Sequence, residues 1–305
     1  MRKKTLFLNI INLKSIIMAN NEDKILERIP NLIKNVRKKC PLTHCITNFV
    51  TVNDCANAVL AIGASPIMAE DTNEVEEIVN ISDALLINIG TLNHLQIESM
   101  KISSKHANKT NTPITLDPVG VGISGLRNNT TIDLIKNYNM AVIRGNITEI
   151  KTIAKLFNII GKTNTAKGVD VCDDDLITEN NLKANGEIIA KTAAELNTVI
   201  LASGPIDILS DGKTTIAIYG GDEMMPLITG SGCMLSSIVG SCVGAVNPFD
   251  GALLAVLAMN KAGEKARAKV DENNLGTGSF RTFLIDALYK TDAEELVNES
   301  KIEIL

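Results

Sequence analysis

Four short apolar blocks, "DALLINIG" (83–90), "TPITLDPVG" (112–120), "MAVIRGN" (140–146) and "NTVILASG" (197–204), punctuate the middle of the chain. Each is strand length, is apolar rather than alternating, and closes on Gly, Asn or Asp. That is the pattern of parallel strands covered on both faces. Segments between them, such as "HLQIESMKISSKHANK" and "NITEIKTIAKLF", carry apolar residues at helical spacing. The alternation predicts an α/β sandwich around a mostly parallel sheet. Residues 207–221, "DILSDGKTTIAIYGG", read instead as a hairpin turning at Asp211-Gly212. Helical stretches rich in Ala, Leu, Gly and Met follow at 231–245, 248–268 and 279–290. No internal repeat or Pro/Gly/Ser linker interrupts them, so residues 21–305 are read as one domain.

The N-terminus does not join this rhythm. "MRKKTLFLNIINLKSIIMANNEDK" imitates a secretion signal, but Asn9, Asn12 and Lys14 interrupt its apolar stretch and no small-x-small cleavage site follows. It is also too short and polar to span a bilayer. Residues 1–20 are expected to be a flexible extension, or to lie mostly upstream of a true start at Met18. A cytoplasmic location and no membrane partner follow from this reading. The formal charge of −5 offers no basic field for a nucleic acid, and with 3% aromatic residues and no Trp, base-stacking platforms are scarce. The six cysteines contain no C-x-x-C pair and do not read as a disulfide framework, and the three histidines show no metal spacing. Residues 161–180 are the most polar interior stretch and are expected to be a surface loop; their triplet Asp173, Asp174 and Asp175 reads as a solvated face.

In an open parallel sheet, ligands bind beyond the carboxyl ends of the strands. The residues ending the four blocks are Asn88 and Gly90 with Thr91, then Asp117, then Arg144 with Asn146 and Glu149, then Ser203 and Gly204. Asp117 and Glu149 supply hard oxygens that suit Mg²⁺ held through water and phosphates. Arg144 supplies a cationic fork for phosphate in an otherwise acidic chain. Gly230-Ser231-Gly232 precedes a helical run, so its backbone N–H groups and the helix dipole could hold an anion beside Cys233. Each signal has a plain alternative: Asp-Pro is a common turn, Glu149 could cap a helix, Arg144 could form a structural ion pair, and Cys233 could be a small buried filler. There is no Walker P-loop.

With these residues in order, the chain resembles the hydroxyethylthiazole kinase family of the ribokinase-like superfamily. The similarity runs from about Pro41 to Phe283. It is carried by "PLTHCITNFVTVNDCANAVLAIGASPIMAE", "INIGTL", "LDPVGVG", "IRGNITEI", "KGVD" and "TGSGCMLSSIVG". The resemblance implies a ribokinase-like three-layer α/β/α sandwich and a homotrimer with active sites near subunit interfaces. It implies ATP- and Mg²⁺-dependent phosphorylation of the primary alcohol of 4-methyl-5-(2-hydroxyethyl)thiazole in thiamine salvage. By position, Met68, Gly230 and Asn48 would serve the thiazole alcohol; Arg144, Ser203 and Gly232 the ATP; and Asp117 and Glu149 the metal. Met68 lies in an apolar strand-like run that would otherwise be read as core, and "HCITN" could be an ordinary strand ending in a turn.

Cys233 would face the substrate hydroxyl, where related kinases usually carry an Asp base. A helix N-terminus favours a thiolate and a triphosphate opposes it, so sequence leaves the protonation state open. The expectation is that Cys233 orients the hydroxyl and accepts its proton late. Departures from the family pattern are Ser203 in place of Thr, Ser231 in place of Ala, and "GTGSF" (276–280) without the usual Pro. Three other functions compete. They are a kinase of another small alcohol such as hydroxymethylpyrimidine, a cysteine hydrolase or transferase using Cys233 as nucleophile, and a non-catalytic thiazole or thiamine sensor.

Overall fold

The computed structural model describes residues 21–161 and 176–305. The N-terminal extension, Cys172, the acidic triplet and "KGVD" lie outside the described residues. A helical stretch at 21–26 and α1 (Ile29–Lys39) lead into β1 (Leu42–Ile46), α2 (Val52–Ile62), β2 (Ser65–Ile67), α3 (Val75–Ile81) and β3 (Ala84–Asn88). Next come α4 (His94–Thr110), β4 (Ile114–Asp117), α5 (Gly125–Asn137), β5 (Val142–Asn146), α6 (Ile147–Leu156), α7 (Leu182–Leu196) and β6 (Val199–Ser203). The chain finishes with β7 (Ile206–Ser210), β8 (Thr215–Tyr219), α8 (Ser231–Val243), α9 (Pro248–Glu272), α10 (Thr277–Tyr289), α11 (Ala293–Glu299) and β9 (Lys301–Ile304).

The strands form one sheet in the order β2-β1-β3-β4-β5-β6-β7-β8-β9. The pairings from β2 through β6 are parallel, and those from β6 through β9 are antiparallel. Successive side chains of a strand face opposite sides, and β6 shows the result. Val199 and Leu201 join the core beneath α1, α2 and α8–α11, while Ile200 and Ala202 join the core beneath α3–α7. The continuous apolar runs of the sequence thus correspond to strands with helices on both faces, giving a three-layer α/β/α sandwich. The expected hairpin is β7–β8, with Ser210 opposite Thr215 and Gly212 at φ +84° in its turn.

Three strands lie outside the four blocks and the hairpin, β1 overlapping "HCITN" and β2 the strand-like run before Met68. β1 carries buried Thr43 and His44, whose polarity breaks the pattern; the fold accommodates them through Thr43 Oγ1 to Ser241 Oγ (2.9 Å) and His44 Nε2 to the Ala69 carbonyl (2.8 Å). β2 is only three residues long, and β9 is a four-residue edge strand. These additions matter for position. From β1 the chain moves first to β2 on one side and then to β3 on the other, which creates a switch point between the carboxyl ends of β1 and β3. Among the described residues, no helix is long and apolar enough to cross a membrane.

Candidate active site

Cys233 sits in the first turn of α8, directly over that switch point. Its Sγ accepts from Asn48 Nδ2, just beyond β1, and from Asn88 Nδ2 at the end of β3, both at 3.2 Å. Asn88 is the hub of the arrangement. Its Oδ1 accepts from Asn48 Nδ2 (3.1 Å) and from the Gly90 amide (2.9 Å), while its Nδ2 also donates to Asp117 Oδ2 (2.8 Å). Asn48 Oδ1 accepts from the Thr51 amide at 3.2 Å. Thr51 in turn packs on the entry to α8: Gly230 has φ +84°, and a Cβ there would stand 2.5 Å from Thr51 Cγ2. Only glycine meets both conditions at that point.

Arg144 approaches α8 from β5. Its Nη2 donates to Ser203 Oγ at 2.5 Å, and its Nη1 stands 4.0 Å from Asp117 Oδ2. A Cβ on Gly232 would lie 2.8 Å from Nη1, so the guanidinium rests against the helix entrance. That entrance has no side-chain cap. The free N–H groups of the first turn and the positive end of the helix dipole therefore adjoin a cation, an arrangement completed by an anion. Arg144, Ser203 and Gly232 line one cavity of about 580 Å³, whose apolar wall includes Ile147, Met225 and Leu235.

The two acids meet different surroundings. Asp117 is 1% exposed; its Oδ2 accepts from Asn88 and from Ser236 Oγ (2.7 Å), whereas its Oδ1 has no partner. Burial pushes its carboxyl up to about 7, against the lowering effect of Arg144, with the charge of Glu149 adding to the rise. Glu149 is half-buried. Its Oε2 accepts from the Asn146 amide (2.7 Å) and its Oε1 from the Gly120 amide (2.8 Å), while Asn146 Oδ1 accepts from the Glu149 amide. This is a capping box at the start of α6, so the helix-cap reading of Glu149 is correct as geometry.

Residues 33–294 match the Hydroxyethylthiazole kinase family. The chain belongs to the hydroxyethylthiazole kinase family. A hydroxyethylthiazole kinase of Methanobrevibacter smithii is 69% identical over 285 residues, covering 93% of this chain and 99% of the relative. The solved structure of a hydroxyethylthiazole kinase protein from Pyrococcus horikoshii OT3 superposes with a TM-score of 0.79 at 31% identity, covering 92% of this chain and 99% of that one. A ribokinase-like superfamily protein from Enterococcus faecalis V583 shares the fold at TM-score 0.53 and 13% identity, covering 82% of this chain and 86% of that one. The sandwich is therefore ribokinase-like.

For a hydroxyethylthiazole kinase family member, the positions expected from sequence divide into three places. Asn48, Cys233 and Gly230 converge at the switch point, Arg144, Ser203 and Gly232 share the cavity beside it, and Asp117 lies between the two groups. Glu149 joins through the Gly120 loop. Met68 is half-buried just past β2, one strand away from Asn48, and no hydrogen bond or ion pair ties it to the others. Burial, reinforced by the nearby Asp117 charge, pushes the Cys233 thiol up to about 11. Desolvation thus favours the thiol over the thiolate. Asn88 ends an apolar block and was visible as a strand terminus, but its central role was not. Thr51 and Ser236 carried no sequence signal.

Proposed function

We propose that this chain transfers the γ-phosphoryl group of ATP to the primary hydroxyl of 4-methyl-5-(2-hydroxyethyl)thiazole. The observation that carries the reading is the convergence of Arg144, the uncapped entrance of α8 and a buried carboxylate with an unpaired oxygen. The triphosphate would run along the cavity lined by Arg144 and Ser203, with its γ-phosphoryl group at the amides of residues 231–233. The thiazole alcohol would enter from the side of Asn48, Gly230 and Met68. Asp117 and Glu149 would hold Mg²⁺, which would supply charge neutralisation for phosphoryl transfer. The residues fit that ion: Asp117 Oδ1 is an unsatisfied hard acceptor, and Glu149 retains lone pairs that reach a cation through water. Among the described residues no group of three acids, histidines or cysteines forms a metal cage, which agrees with an ion held mainly by substrate phosphates and water.

Cys233 holds the hydroxyl in line, with its own sulfur fixed by two amide donors. In a loose phosphoryl-transfer transition state, positioning and charge neutralisation outweigh base strength. The alcohol's proton therefore passes to a phosphoryl oxygen as the new O–P bond forms and the bond to ADP breaks. A cysteine nucleophile would need a base. His44 is instead buried against the Ala69 carbonyl with its pKa lowered by burial, and the Cys233 thiol is shifted away from thiolate. We also read the active form as a cytoplasmic homotrimer. Exposed apolar side chains Phe49, Val50, Leu95, Ile123, Leu126 and Leu227 all leave the carboxyl-end rim of the sheet around the site, which supports cover by another copy.

The deciding experiment incubates purified protein with ATP, Mg²⁺ and a panel of small alcohols that includes hydroxymethylpyrimidine, and detects products by mass. Phosphorylated hydroxyethylthiazole with stoichiometric ADP is expected. Preferential phosphorylation of another alcohol, or thiazole binding without ATP turnover, would replace this reading.

A further inference from the structure

Arg127, in the first turn of α5, is half-buried and spends its guanidinium on main-chain carbonyls. Nη1 donates to Ile89 O (2.7 Å) and Val119 O (2.5 Å), and Nη2 donates to Gly90 O (2.6 Å). These carbonyls belong to two different loops, the exits of β3 and β4. A trans peptide points its C=O and its N–H in opposite directions, and no cis peptide occurs among the described residues. The Ile89–Gly90 peptide thus accepts from Arg127 on one side and, through the Gly90 N–H, donates to Asn88 Oδ1 at 2.9 Å on the other. The Val119–Gly120 peptide accepts from Arg127 and donates through the Gly120 N–H to Glu149 Oε1 at 2.8 Å. One cation stands behind two peptide planes, and each plane holds a different side chain of the site.

Hydrogen bonds in series polarise one another, and a charged donor at the head of a series strengthens it. We propose that Arg127 is a positioning residue for phosphoryl transfer, setting Asn88 and Glu149 through the Ile89–Gly90 and Val119–Gly120 peptides. The proposal rests on the kinase reading above. Asn88 places the sulfur of Cys233 and one oxygen of Asp117, and Glu149 faces the metal region, so Arg127 governs both halves of the site without touching either substrate. Lysine's three donors share one nitrogen, so it cannot reproduce donation from the two separate guanidinium nitrogens that reach these carbonyls.

The test compares wild type, Arg127→Ala, Arg127→Lys and a control, Arg37→Met, which removes a guanidinium bonded to the Thr291 carbonyl away from the site. Misplacement of reacting groups by about an ångström commonly costs about 100-fold, so kcat of Arg127→Ala should fall on that order, with KM for the thiazole alcohol within about threefold. The Mg²⁺ concentration for half-maximal rate should rise, Arg127→Lys should recover part of kcat, and millimolar guanidinium should restore activity to Arg127→Ala. Iodoacetamide labelling of the substrate-free proteins, resolved by peptide mass, supplies a readout independent of turnover. Cys233 should label several-fold faster in Arg127→Ala than in wild type, because Asn88 no longer stands fixed over the sulfur, while exposed Cys40 should be unchanged. Near-wild-type kcat in folded Arg127→Ala would overturn the proposal. So would a loss matched by Arg37→Met at equal melting temperature, without guanidinium rescue or altered Cys233 labelling. If wild type phosphorylates no alcohol, the kinase reading fails, and unchanged Cys233 labelling would then sink the positioning claim separately.

Discussion

Replacing Asp117 with asparagine should raise the stability of the substrate-free protein at alkaline pH while removing its activity. Asp117 is buried, and its carboxyl is pushed from 3.8 up to about 7, chiefly by burial. Because its native pKa lies above its unfolded pKa, the native state binds the proton more tightly between about pH 4 and pH 7, and stability declines as pH rises through that window. From pH 5 to pH 8 the loss is on the order of 2–3 kcal/mol, because through most of that window only the native state holds the proton. Asparagine does not titrate. Its amide oxygen can replace Oδ2 and keep the contacts with Asn88 and Ser236, leaving the amide nitrogen at the unpartnered Oδ1 position. That nitrogen imposes a cost of about 1–3 kcal/mol, but the cost is nearly independent of pH and cancels in the comparison. Thermal melts of both proteins should therefore show the variant's advantage growing by about 5 °C between pH 5 and pH 8, at about 2 °C per kcal/mol for a chain of this size. Mg²⁺ and ATP should stabilise wild type more than the variant. Parallel melting curves across that range, or a gap that narrows toward alkaline pH, would refute the claim that a buried, ionisable Asp117 destabilises the empty site.

Two further outcomes follow from the helix entrance. Gly232→Ala puts a methyl group 2.8 Å from Arg144 Nη1 and should displace the guanidinium, raising KM for ATP by about tenfold, while stability holds or rises by about 0.5–1 kcal/mol because alanine is the better helix residue; steady-state kinetics beside chemical denaturation would separate the two effects. Cys233→Asp should stay active, because it restores an ionisable acceptor at the hydroxyl. At saturating ATP and Mg²⁺, Cys233→Ser should lose less turnover than Asp117→Asn or Glu149→Gln, since a glutamine cannot accept from both the Gly120 and Asn146 amides through carboxylate oxygens.

The four apolar blocks and the Asp-Gly hairpin were legible because a doubly covered strand and a tight turn leave local signatures a few residues long. Asp117, Arg144 and Ser203 were legible for a related reason: strand ends in a parallel sheet face the ligand crevice, so locating the strand locates the residue. β1 was harder to see because His44 and Thr43 interrupt its apolar run, and their partners, Ala69 and Ser241, lie 25 and 198 positions away. Glu149 shows both levels at once. Its spacing from Asn146 announces a helix cap, while its second oxygen reaches the Gly120 loop only in the folded chain.

Sequence by itself determined the layers, the strand ends and the glycine turn before α8, since those depend on period, backbone freedom and residue order within short windows. Tertiary structure decided that Cys233 is desolvated, that Asn88 joins it to Asp117, and that Arg127 stands behind both exit loops. The reason is physical. Desolvation and hydrogen bonding depend on which groups are brought within a few ångströms, and the donors to Cys233 come from 145 and 185 positions earlier in the chain.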